Sequence, residues 1–212
     1  MSKQFLAVIA AIIILFVGIG VYNSNSKKQD SSSSKTTMSQ NISGNPNAKV
    51  TIVEYGDYQC PYCQSYHANF KNAQTQYADK VKFQFRNFPL TSIHKNAMAA
   101  ARAAEAAALQ NKFWEMHDAL YENANWSAWT KADDPRNLFY AYAEQLGLNV
   151  NQFKTDFASE KVNNIINADR SNGTKLGITG TPTFFVNGKE EKITNSKAGF
   201  DKVINKYLNQ QN

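Results

Sequence analysis

Cysteine is nearly absent from this 212-residue chain: Cys60 and Cys63 are the only two. So few thiols exclude a small scaffold stapled by disulfides. With no second cysteine pair, the chain also lacks the usual donors of a closed four-ligand zinc site. Charge of one sign is not concentrated anywhere. The net charge of +6 is spread along the chain without a lysine-arginine cluster or a basic helix. Nothing therefore points to a nucleic-acid partner, and the charge reads as solubility or mild attraction to an anionic membrane surface. Long apolar runs are missing too, with one exception at the amino terminus.

That exception is Phe5 to Tyr22, an uncharged run of 18 residues, the lower limit for a helix crossing a bilayer. A cleavable signal would end in a small-x-small site, and nothing after Gly20 reads as Ala-x-Ala; no cysteine is placed for lipid attachment. Residues 1–22 are accordingly expected to be an uncleaved transmembrane anchor, with a short tail inside and the bulk of the chain outside. A cleaved, secreted form is the alternative. Residues 23–47 are polar and low in complexity, with Ser31 to Ser34 consecutive, and are expected to be a flexible tether. The folded domain is expected over 48–212. A hydrophobic content of 42%, with 13 Phe and 10 Tyr, supports a real core.

The two cysteines sit in Tyr55-Gly-Asp-Tyr-Gln-Cys60-Pro-Tyr-Cys63. Before them, Val50 to Tyr55 has the β-branched and aromatic composition of a buried strand. After them a helix begins: proline suits a first helical position, and Tyr62, Tyr66, Phe70 and Tyr77 fit a helical stripe. Cys60 falls at the helix N-terminal edge, where unpaired N–H groups favour a thiolate, and Cys63 follows one turn later. That spacing suits thiol–disulfide exchange. An inert disulfide closing so short a loop would stabilise little. A metal site is the other alternative, with His67 extending the pattern and His94 or His117 as a fourth donor, but proline between the cysteines favours a helix start.

Alternation of Val81, Phe83 and Phe85 marks a second strand over Lys80 to Phe88, making a βαβ unit with a right-handed crossover. A helical insertion is expected over about residues 93–171. It comprises an alanine-dense helix from Ile93 to Leu109, helices over Lys112 to Asn123 and Leu138 to Leu146, a loop and helix start around Trp126 to Pro135, and further helix from Asn149 to about Ser171. Thr183 to Val186 reads as a short strand, Asn187-Gly188 as a hairpin turn, Glu190 to Thr194 as the returning strand, and Gly199 to Leu208 as an amphipathic helix. The expected fold class is α/β: with Cys-x-x-Cys at the first helix, this order of elements resembles the thioredoxin architecture, a central mixed sheet flanked by helices, with a helical insertion and an N-terminal transmembrane helix before it.

Cys60-Pro-Tyr-Cys63, Phe88-Pro-Leu with His94 and the alanine-rich helix, Phe113-Trp114 with His117, and Gly180-Thr-Pro-Thr-Phe-Phe-Val-Asn-Gly188 together resemble the DsbA-like thiol:disulfide oxidoreductases, over about Asn45 to Leu208. The resemblance implies a nucleophilic Cys60, a resolving Cys63, a cis Pro182 facing the pair, and Thr181 presented to a substrate strand. It implies no cofactor beyond the redox-active Cys60–Cys63 disulfide. Pro61 and Tyr62 would tune the motif, and Glu54 or Asp57 would shuttle the Cys63 proton, Asp57 being equally well read as a solvated carboxylate. Implied partners are exported unfolded or cysteine-containing proteins and a membrane redox partner of the DsbB or vitamin-K-epoxide-reductase type. The enzyme is expected to be a monomer at the cell membrane with its catalytic domain on the extracytoplasmic side. Strong oxidases of this kind often carry histidine at the third motif position, where this chain has Tyr62. A reductase or isomerase with the same site, and a non-enzymatic chaperone or binding module of the same fold, are the alternative functions.

Overall fold

The computed structural model describes residues 37–210. The expected anchor at 1–22 and the tether up to residue 36 lie outside the described residues. Among the described residues no helix is long and apolar enough to cross a membrane.

Five strands form one sheet in the order β1-β3-β2-β4-β5. These are β1 (Ile42–Gly44), β2 (Val50–Gly56), β3 (Val81–Asn87), β4 (Thr183–Val186) and β5 (Lys189–Glu191). β2 lies at the centre, parallel to β3 and antiparallel to β4. Parallel neighbours cannot be joined by a hairpin, and helix α1 (Pro61–Gln76) makes the crossover. Val50 and Ile52 of β2 join Phe70 of α1, Phe83, Phe184, and Phe200 of the last helix, α8 (Lys197–Asn209), in one buried cluster. Tyr55 points to the opposite face with Phe88, Ile178 and Phe185, as the two-residue period of a strand requires.

Between β3 and β4 lie α2 (Ala97–Ala108), α3 (Phe113–Tyr121), α4 (Asn123–Lys131), α5 (Arg136–Gln145), α6 (Val150–Ala158) and α7 (Glu160–Lys175). Seven of the eight buried residues of α2 are alanines, whose small side chains let neighbouring helices approach closely. The insertion's core also takes in Tyr58, Cys60, Cys63 and Phe85, so the redox motif is built into the seam between the sheet and the inserted helices.

Two expectations require correction. The folded domain does not begin near Ala48. Ile42–Gly44 pairs antiparallel with β3, the Ser39 N–H donates to Asp169 Oδ1 at 3.0 Å, and Asn41 Nδ2 donates to Glu105 Oε1 at 2.6 Å. The polar composition that suggested a tether is what satisfies a sheet edge and two buried carboxyl groups. The stretch around Trp126 and Trp129 is helix rather than loop: the Glu122 side chain caps α4 by accepting from Asn125 N–H, and Trp129 is fully buried. The helix expected from Asn149 to about Ser171 is present as two helices, because the Ser159 hydroxyl accepts from Val162 N–H and starts α7 afresh, a standard N-cap.

Removing residues up to Asn47 should therefore destabilise the domain rather than merely shorten a linker. Losing the donors to buried Glu105 and Asp169 should cost at least about 2 kcal/mol. Urea denaturation of chains beginning at Met38 and at Ala48 would measure it, and equal midpoints would refute the assignment.

Candidate active site

The end of β2 delivers the chain into a tight turn and then into α1. Cys60 is the N-cap of α1 with φ −72° and ψ 123°, and Pro61 occupies the first turn, where its missing N–H costs nothing. Cys60 and Cys63 are both buried and both free thiols. Their environments differ in sign. Cys60 is lowered to about 5, first by a hydrogen bond from the Cys63 thiol, then by the Thr181 side chain and the backbone N–H groups of Cys63 and Tyr62, against a burial effect that pushes it up. Cys63 is pushed well above its ordinary value, chiefly by burial, next by giving its hydrogen to Cys60, and by the nearby Glu54. The pair is thus one thiolate and one thiol, with the anion at the helix N-terminus where the dipole favours it.

On the far side of Cys60 is the turn before β4. The Thr181–Pro182 peptide is cis, and in the thiol form Cys60 Sγ donates to the Thr181 carbonyl oxygen at 3.3 Å. The Thr181 hydroxyl is buried without another hydrogen-bond partner. All four residues of the expected core site, Cys60, Cys63, Thr181 and Pro182, come together.

Glu54 is buried on β2, and its carboxyl is raised to about 8 by burial first and by the Cys60 charge second. It therefore holds a proton at neutral pH. Asp57 departs from the solvated reading. Its side chain is fully buried, accepting from Gln59 N–H at 2.7 Å on Oδ1 and from Leu90 N–H at 2.8 Å on Oδ2, with His94 Nδ1 also 2.7 Å from Oδ2. A carboxylate so occupied is an anchor rather than a free shuttle. Tyr62 is 70% exposed, standing outward beside the buried sulfurs.

The histidines do not converge on the cysteines. His94 pairs with Asp57, while His67, His117 and Asp118 have ligand atoms within 4.8 Å of one another, the one such cluster among the described residues. Both Asp118 oxygens are already engaged, Oδ1 by His67 Nε2 at 2.8 Å and Oδ2 by Lys71 Nζ at 2.7 Å. That makes the cluster a clasp between α1 and α3, with His67 and Lys71 both held on Asp118. His117 is buried, kept neutral by that burial with a value lowered to about 3, and 3.1 Å from the Tyr58 hydroxyl. The contacts of Tyr58, Gln59, His94 and Tyr121 with the motif turn had no signal in the sequence, because their partners are 37 to 71 residues away.

A cysteine pair at the first turn of the crossover helix, faced by a cis-proline across a mixed sheet, defines a thioredoxin-fold redox protein. A thioredoxin family model matches residues 35–206. Solved structures agree. BdbD from Bacillus subtilis in its oxidised form is 27% identical with a TM-score of 0.66, covering 79% of this chain and 92% of that one. A thioredoxin-like oxidoreductase from Silicibacter pomeroyi is 26% identical with a TM-score of 0.67, covering 79% and 91%. The α-DsbA1 protein of Wolbachia pipientis, at 24% identity and a TM-score of 0.69 over 80% and 90%, shares the fold. The chain belongs to the thioredoxin family, as a DsbA-like thiol:disulfide oxidoreductase. Among curated proteins, the Na(+)/H(+) antiporter NhaA 1 of Mycolicibacterium gilvum is 35% identical over 71% of this chain but only 24% of its own length. The chain thus spans about a quarter of that relative, whose name describes a much longer protein.

Titrating the reduced enzyme by thiolate absorbance should show one step near pH 5, lost in Cys60→Ser. Glu54, raised to about 8, is still protonated where Cys60 titrates, so Glu54→Gln should leave that step in place, and a displacement of a full pH unit would contradict the assignment. The reduced form should also gain stability over the oxidised form as pH rises from about 5 towards 9. Cys60 is depressed in the folded state, so its contribution is lost as pH falls through 5.

Proposed function

We propose that this enzyme forms disulfides in exported proteins on the extracytoplasmic side of a membrane, held there by the segment 1–22. The observation that carries the direction of exchange is the depressed Cys60 thiol. A stabilised thiolate favours the reduced pair, and a pair that prefers to be reduced is an oxidant of its substrates.

In the proposed reaction, a substrate thiolate attacks Cys60 Sγ of the Cys60–Cys63 disulfide. The S–S bond breaks, Cys63 leaves with the electron pair, and protonated Glu54 supplies a proton to it. A second substrate thiolate then attacks the substrate sulfur of the mixed disulfide and expels Cys60 as a thiolate. Two electrons pass from substrate to enzyme, and a membrane redox partner of the DsbB or vitamin-K-epoxide-reductase type takes them back. Thr181 and Pro182 receive the substrate strand beside Cys60. Tyr62, Ile93 and Leu176, the exposed large hydrophobic residues among those described, belong to the motif, to the segment beside His94 and to the approach to Pro182. Apolar side chains so placed suit unfolded substrates. The enzyme acts as a monomer.

Equilibration of Cys60–Cys63 with glutathione should give a potential of about −120 to −180 mV, whereas about −270 mV would mark a reductase instead. Cys63→Ser should accumulate a mixed disulfide when its Cys60 thiolate attacks a disulfide-bonded substrate, one substrate sulfur leaving as a thiolate and no resolving thiol remaining, and Cys60→Ser should trap none. Holdase activity surviving Cys60→Ser without thiol exchange in the wild type would favour the chaperone alternative.

A further inference from the structure

The strong hydrogen bonds around Asp57 leave one partner that the exchange reaction does not use. Asp57 touches both sulfurs' supports through its main chain: its N–H donates to Cys63 Sγ at 3.5 Å, and its carbonyl accepts from Cys60 N–H at 3.0 Å and from the Tyr121 hydroxyl at 3.2 Å. Its buried carboxylate receives two backbone amides, from Gln59 and Leu90, which can only donate. The third contact is His94 Nδ1 at 2.7 Å, from a ring only 17% exposed. That ring is itself held in place: His94 N–H donates to the Leu90 carbonyl at 3.0 Å, its own carbonyl accepts from Ala97 N–H at 3.2 Å, and the Asn96 N–H donates to the Gln59 side chain at 2.7 Å. The segment leading into α2 thus grips the motif turn at Asp57 and at Gln59.

We infer that His94 is a positioning residue for the redox pair, acting through Asp57 to hold the turn in which the Asp57 amide faces Cys63 and its carbonyl carries Cys60. The inference deepens the exchange reaction proposed above and rests on it. His94 touches neither sulfur. Its Nδ1–H completes the set of donors that fixes the Asp57 carboxylate, and a buried carboxylate short of one donor will turn towards water or another donor. Either movement withdraws the Asp57 amide from Cys63 and leaves a less compensated negative charge behind Cys60. Both disfavour the thiolate.

Two substitutions separate positioning from general packing. In His94→Asn the side-chain amide places a donor near the position of Nδ1, whereas His94→Leu fills the space without one; His94→Ala replaces the latter if it does not fold. His94→Leu should raise the Cys60 thiolate midpoint by about one unit. It should also shift the equilibrium constant with glutathione about tenfold towards the disulfide, equivalent to about 30 mV. His94→Asn should stay within about twofold of the parent, and in an Asp57→Asn background His94→Leu should add less than twofold. An unchanged equilibrium in His94→Leu, or an equal shift in His94→Asn, would overturn the inference. The ratio of variant to parent decides this question, while the parent's absolute potential decides the direction of exchange, so failure of one is distinguishable from failure of the other.

Discussion

The structure depends on the parallel pairing of β2 with β3. Two parallel strands need a crossover, and the crossover helix α1 starts directly beyond the end of β2. A helix N-terminus is thereby fixed at the carboxyl end of the central strand, with its unpaired amides directed at whichever side chain caps it. That side chain is Cys60. On the other flank of β2, antiparallel β4 begins immediately after Pro182 and carries the Thr181 carbonyl to the same sulfur. Neither contact could form if β2 were an edge strand.

The chemistry that results comes from unequal burial and unequal donors. Cys60 collects hydrogen bonds from Cys63, Thr181 and two helix amides, while Cys63 lies deeper and gives its hydrogen away. Glu54 lies beneath them as a buried acid held in its protonated form at neutral pH. A second buried acid, Glu105, is raised to about 7 by burial and by Asp169, although Asn41 and Asn87 both donate to it. The two acids serve different ends. Glu54 lies near the sulfurs, whereas Glu105, together with Asp169, ties the amino-terminal strand, β3 and the inserted helices into one unit.

The inserted helices do more than cover a face of the sheet. Tyr58, one residue into the motif turn, stacks against Phe85 and Tyr121 and meets His117, while Trp126 Nε1 donates to the Tyr58 carbonyl at 2.8 Å. Gln59 bridges the Asn96 amide and the Thr130 carbonyl. Only Pro61 and Tyr62 of the motif escape this grip, and they lie on the exposed side. A redox turn held from behind and open in front can meet a varied substrate without losing the geometry of its sulfurs.

Sequence alone determined the fold class and the centre of the site. A β-branched run, a Cys-Pro-Tyr-Cys helix start, an alternating second strand and Gly-Thr-Pro-Thr-Phe-Phe are local patterns. Each is dictated by backbone propensity or by a two- or 3.6-residue period that neighbouring residues report directly. The same local logic misplaced the start of the domain. The Ile42–Gly44 strand and the buried Ser39 and Asn41 draw their stability from β3, Glu105 and Asp169, which are absent from their own neighbourhood. It also left Asp57 between two readings, because a carboxylate's burial depends on donors brought from Leu90 and His94. Propensity and periodicity are properties of adjacent residues, and these the sequence displays. Desolvation and hydrogen-bond satisfaction are properties of residues made adjacent by folding, so the ionisation of Cys60, Cys63 and Glu54, and the anchoring of the turn by His94, were decided only in the tertiary structure.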